Sequence, residues 1–76
     1  MITEDDISAL YDLAQEAIDD NCEREATMIR AATMIIEEED HHLAMVILLR
    51  AKSWWVPTSC VYINQVIEVI RDATKR

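Results

Sequence analysis

The chain has 76 residues, about half of them hydrophobic (51%), with no glycine, one proline (Pro57) and a formal net charge of −8. That length supports one small domain, which buries only about 60% of its unfolded surface, and the apolar share is too large for a disordered tail. The lack of glycine disfavours a small sheet protein, whose turns need positive φ, and the charge disfavours direct binding to nucleic acid or an anionic membrane.

The first helix is expected from about Thr3 to Asp20. Thr3 suits an N-cap, and Glu4, Asp5 and Asp6 set negative charge against the positive helix end. At about 100° per residue, Ile7, Leu10, Ala14, Ala17 and Ile18 share one stripe. Asp5, Asp12, Glu16 and Asp19 share the opposite one, a line about 21 Å long at the standard helical rise. Asp20 and Asn21 form the first corner, with Asp20 and Glu23 at capping-box spacing.

The second helix is expected from about Cys22 to Glu39. Cys22, Met28, Ile29, Ala32, Ile35 and Ile36 point inward, and Glu23 and Glu37 point out. Glu25 and Glu39 fall on the apolar stripe near the helix ends, where they can reach water; a buried and unpaired carboxylate there would be costly.

Residues 37–42 read EEEDHH. Glu38 with His41, and Glu39 with His42, have the Glu-x-x-His spacing by which one helix offers two ligands to a metal. A metal centre needs further inward carboxylates, and the other helices offer none on their apolar stripes. A helix end explains the string more fully. Glu37 with His41 and Glu38 with His42 are i,i+4 pairs, and histidines suit the negative end of a helix. Asp40 or a histidine can take the conformation that glycine usually supplies at a corner. Glu38, His41 and His42 are therefore the only metal candidates, the chain is expected to turn there, and no cofactor is expected.

The third helix is expected from about His41 to Trp55, with Asp40 as N-cap. Its run LAMVILL is apolar on nearly every side. Leu43, Val46 and Ile47, continued by one tryptophan, form the inward stripe, onto which Arg50 also projects. The second tryptophan points about 100° away, which makes Trp55 a candidate anchor for a partner. Pro57 ends this helix. The fourth should begin near Thr58 or Ser59, with Tyr62, Ile63, Val66, Ile67, Val69, Ile70 and Ala73 on one face. Its β-branched residues leave a strand over 60–70 as the alternative, but the period is near 3.6 rather than 2. The whole reads as a single all-α domain, a small four-helix up-and-down bundle of two αα-hairpins. Homodimerisation through the third helix or Trp54-Trp55 is a further expectation.

Catalysis finds no convergent groups. Cys22 and Cys60 head helices, which would lower a thiol pKa, but they sit at the opposite end of such a bundle from the histidines. Ser8, Ser53 and Ser59 lack a glycine-flanked elbow. A buried thiol is a better expectation for each cysteine than a disulfide.

Charge is the distinctive feature. Residues 1–40 hold thirteen acids against Arg24 and Arg30 (−11), and residues 41–76 hold Glu68 and Asp72 against five bases (+3). Carboxylates along a rigid helix can stand in for phosphates in a basic groove, although a solvated face that keeps a small protein soluble has the same look. The expected function is non-enzymatic: an inhibitor or regulator that presents Asp5, Asp12, Glu16, Asp19, Glu23 and Glu37 to a protein partner with a basic, nucleic-acid-handling surface. In size, acidity and helicity the chain resembles the small proteins that phages encode against host defence, anti-CRISPR and anti-restriction proteins among them. The rivals are an adaptor that binds a helix in an apolar groove and a metal-binding bundle. The acidic opening MITEDD and apolar runs far short of about 20 residues suggest the cytoplasm, or that of a host cell.

Overall fold

The computed structural model describes residues 2–54 and 61–75. They contain four helices and no strand: α1 (Glu4–Asp19), α2 (Glu23–Glu37), α3 (His41–Trp54) and α4 (Val61–Lys75). The expected start of the last helix at Thr58 or Ser59 lies outside the described residues. Residues 61–70 are helical, so the strand alternative is overturned: Ile63, Val66, Ile67, Ile70 and Ala73 recur at helical spacing and are all buried.

Local chemistry sets the ends of each helix. Thr3 caps α1 through a reciprocal box: the Asp6 amide donates to Thr3 Oγ1 (3.3 Å) and the Thr3 amide donates to Asp6 Oδ2 (2.9 Å). Both corners then use the same turn. At the first, Asn21 takes φ 62°, the Cys22 amide donates to the Ala17 carbonyl (2.7 Å) and the Asn21 amide to that of Ile18 (3.0 Å). At the second, Glu39 takes φ 67°, the Asp40 amide donates to the Ile35 carbonyl (3.2 Å) and the Glu39 amide to that of Ile36 (2.8 Å). Each is a Schellman turn, which satisfies the last carbonyls of a helix with one left-handed residue after it.

Three expectations fail at these corners. Asp20 and Glu23 form no capping box, because Asp20 closes α1 and the N-cap of α2 is Cys22, without a side-chain bond. The left-handed position of the second corner falls on Glu39, not on Asp40 or a histidine. Since α2 stops at Glu37, the pairs Glu37–His41 and Glu38–His42 do not lie on one helix. Asp40 does cap α3, accepting from the Leu43 amide at 3.1 Å. A glutamate held left-handed costs about 1–2 kcal/mol that glycine avoids. Glu39→Gly should therefore raise the urea midpoint by an equivalent of about 1 kcal/mol; a lower midpoint would show that the glutamate side chain holds the turn.

Two tertiary hydrogen bonds fix helix directions. Tyr62, in the first turn of α4, donates its hydroxyl to Asp20 at the end of α1 (3.0 Å), and the Ile63 amide donates to Glu25 in the first turn of α2 (3.3 Å). So α4 runs antiparallel to α1 and starts at the same end as α2, the up-and-down arrangement. Neighbours in sequence pack together, α1 packs on α4, and α2 also touches α4 across the middle. Among the described residues α1 and α3 do not meet, so they occupy opposite corners. No helix among the described residues is long and apolar enough to cross a membrane.

Of the fifteen buried hydrophobic residues described, seven are alanine. Small side chains let helix axes approach closely, which leaves Leu10, Ile29, Leu48, Ile63 and Ile70 as the bulk of the core. Leu10, Ala14 and Ala17 are buried on α1, and Ile29, Ala32 and Ile36 on α2, as expected; Cys22, Met28 and Ile35 are half-buried. On α3 the expected stripe is displaced. Ala44, Leu48 and Ala51 face the core, whereas Leu43 is 44% exposed, Val46 and Ile47 are half-buried and Arg50 is exposed. Where every side is apolar, hydrophobicity does not choose the face, and packing against α2 and α4 does.

Candidate acidic interaction face

Asp5, Asp12, Glu16 and Asp19 are all exposed, opposite the Leu10, Ala14 and Ala17 stripe that anchors α1. The helix is stiff and amphipathic, so the line keeps the length of about 21 Å that 14 residues span. The neutral amide of Gln15 donates to Asp19 (3.1 Å), one turn away. Of the other two acids in the first turn, Glu4 is exposed and Asp6 folds back into the Thr3 cap.

At the α1–α4 seam the line widens. Glu16, Asp19 and Asp20 line a shallow, open depression with Tyr62 and Gln65. The bond from Tyr62 holds Asp20 here. That bond, then burial, then the charges of Asp20, Cys22 and Glu16 push the Tyr62 phenol above its ordinary pKa. Asp20 thus joins the acidic line that the sequence placed on Asp5, Asp12, Glu16 and Asp19.

The α2 side is different. Glu37 is exposed and accepts a hydrogen bond from the Tyr11 hydroxyl, which ties α2 to the flank of α1. That bond, burial and the charge of Glu37 raise the Tyr11 pKa, while Arg30 lowers it. Glu23 is exposed but borders depressions that Arg30 and Arg24 also line. Its charge stands among cations, apart from the continuous acidic surface. Trp55 lies outside the described residues. Tyr11 and Tyr62 were missed from sequence. The usable signal was an aromatic with a polar tip at the border of an apolar and an acidic stripe.

The remaining titratable groups do not converge. No three His, Cys, Asp or Glu side chains among the described residues are grouped to hold one ion. The turn at Glu38–Asp40 separates Glu38 from His41 and His42, since α3 starts afresh at His41. Cys22 is a free, half-buried thiol that donates to the Asp20 carbonyl (3.6 Å). Desolvation, then hydrogen bonding to Glu25 and the charges of Glu25 and Asp20, push its pKa up. The direction is opposite to the lowering expected of a thiol at a helix start, and desolvation of the thiol is its main cause.

Glu25 itself is buried, at 6% exposure, and does not reach out to water as expected. Its Oε1 accepts the Ile63 amide, so a side chain of α2 is bonded to the backbone of α4. Comparison of the chain with protein-family models, characterised proteins and solved structures finds no match.

Proposed function

We propose that the protein is a non-enzymatic binding protein, an inhibitor or regulator whose acidic face occupies the basic groove of a nucleic-acid-handling protein. One observation carries this: the exposed carboxylates of α1 run in a single line opposite the core and merge with Asp20 at the α4 seam. Asp12, Glu16 and Asp19 follow one another at about 5–6 Å along the axis, set by three- and four-residue steps. Their fixed spacing presents a row of negative charge without the ordering cost of a flexible tail. Such a row attracts the Lys and Arg side chains that otherwise hold phosphates. Glu37, held by Tyr11, extends the surface at one border, and Glu23, beside Arg24 and Arg30, contributes least. The style of action matches that of small anti-defence proteins, with the cytoplasm of a host cell as the place of work.

Salt and charge reversal test it. A partner captured from host lysate at low salt should dissociate as ionic strength rises, because contacts of this kind are screened. The Asp12→Lys/Glu16→Lys double variant should keep its circular dichroism spectrum and bind at least tenfold more weakly, since rim charges set steering and complementarity. Full-strength capture by that variant would end the proposal.

A further inference from the structure

We infer that the α2–α3 corner is a hinge: it straightens to join α2 and α3 into one helix over 23–54, and two copies of the chain exchange their α3–α4 hairpins. The corner holds Glu39 left-handed, at φ 67°, where a side chain crowds the backbone and glycine would not. Residues 37–42 contain neither glycine nor proline, and glutamate is among the better helix formers. The first corner differs, because its left-handed residue is Asn21, which tolerates that conformation. Of the two turns, the second gains more by opening.

Hydrogen bonding favours the straight form. The Glu39 and Asp40 amides, now on the Ile36 and Ile35 carbonyls, exchange these for Ile35 and Ile36, their partners four residues back. The His41 and His42 amides reach the carbonyls of Glu37 and Glu38. Glu37 with His41 and Glu38 with His42 become i,i+4 pairs on one helix. The Asp40 cap on the Leu43 amide is given up, and that amide passes to the Glu39 carbonyl. Repulsion among the four acids of 37–40 opposes the change and is screened by salt.

Topology selects a second copy as the partner. The hinge falls between the two hairpins, so the packing of α1 on α2 and of α3 on α4 stays within each chain. The packing of α4 on α1 and α2, and of α3 on α2, is remade with the other copy. The Tyr62–Asp20 and Ile63–Glu25 bonds are remade in the same way, and an identical chain supplies every partner. The buried Ala26, Ile29, Ala32, Ile36, Ala44, Leu48 and Ala51 fall within about 160° of one straight helix at 100° per residue. Both halves therefore turn their core sides the same way, toward the second copy. Exchange of an identical element is a low-cost route to a dimer. The acidic line of α1 stays outside the core in either form, so the exchange does not depend on the proposed function.

Refolding from urea tests the hinge, since exchange requires the core to open. Refolded at about 1 mM protein in about 0.5 M salt, the chain should yield a dimer on size exclusion. Refolded at about 10 µM, it should return as the 8.8 kDa monomer. X-ray scattering should find the dimer longer than the 31 Å extent of the described residues, because a straight helix over 23–54 spans about 48 Å. His41→Pro separates the two forms. Proline suits the first position of α3 in the closed corner, but within a straight helix it strikes the carbonyl four residues back. The variant should keep its helical spectrum and give at least tenfold less dimer. Glu39→Gly, which relieves the closed turn and weakens the straight helix, should also lower the yield at least fivefold, whereas Asn21→Gly should not. A monomer alone under the concentrated conditions overturns the inference, as does a dimer that His41→Pro and Glu39→Gly form as readily as the parent chain. The Asp12→Lys/Glu16→Lys variant should exchange normally, which keeps this test separate from that of partner binding.

Discussion

Leu48→Ala is expected to remove about 3 kcal/mol of stability, within the 2–5 kcal/mol typical of a buried leucine cut to alanine. Leu48 is fully buried in a core cluster that also holds Ala44 and Ala51 of its own helix and Ala32 of α2. Alanines cannot move into the space it vacates, because their methyl groups are fixed to the backbone. The cavity should therefore persist, and the cost should include both lost transfer energy and lost contacts. For a domain of this size such a loss corresponds to a fall in melting temperature of about 10–25 °C. Leu43→Ala is the control. At 44% exposure it should cost well under half as much. If the two substitutions cost the same, α3 is rotated from the phase described.

Glu25→Ala is the second large effect, expected at about 1–3 kcal/mol, the penalty for stranding a buried donor. The carboxylate accepts the Ile63 amide inside the protein, and water cannot easily take its place because both residues are buried. Glu25→Gln separates hydrogen bonding from charge. Its amide oxygen can still accept from Ile63, so it should lose less than the alanine variant while forfeiting the attraction between a full negative charge and the start of α4. Urea unfolding of the two variants checks the order. A cost below about 0.5 kcal/mol for Glu25→Ala, the range of ordinary surface substitutions, would show that the bond to Ile63 adds little to stability.

How far each helix could be read in advance follows from how its side chains are distributed. On α1 and α4 apolar and charged residues separate cleanly, so the buried residues Leu10, Ala14 and Ala17, or Ile63, Val66 and Ile70, follow from angular position alone. The acidic line of α1 was legible for the same reason, since exposed carboxylates must lie where the core is not. On α3 no such contrast exists, and the stripe of Leu43, Val46 and Ile47 was as apolar as the one that is buried. Corners were legible as corners, because residues 20–22 and 38–40 are polar and short. Which residue turns left-handed was not, because asparagine, aspartate and glutamate differ there by little more than 1 kcal/mol.

Residues 1–40 determined by their own pattern a helical hairpin that wears most of its acids outward, and the lack of glycine together with the 3.6 period determined an all-α chain. These are local matters: a helix and its two faces depend on residues three or four positions apart. Tertiary structure decided which side of α3 is buried, that Glu25 accepts the backbone amide of Ile63, 38 positions later, and that Tyr11 and Tyr62 fasten the acidic helix to its neighbours. Each of those pairings joins groups far apart along the chain, and their partners exist only once the four helices have packed.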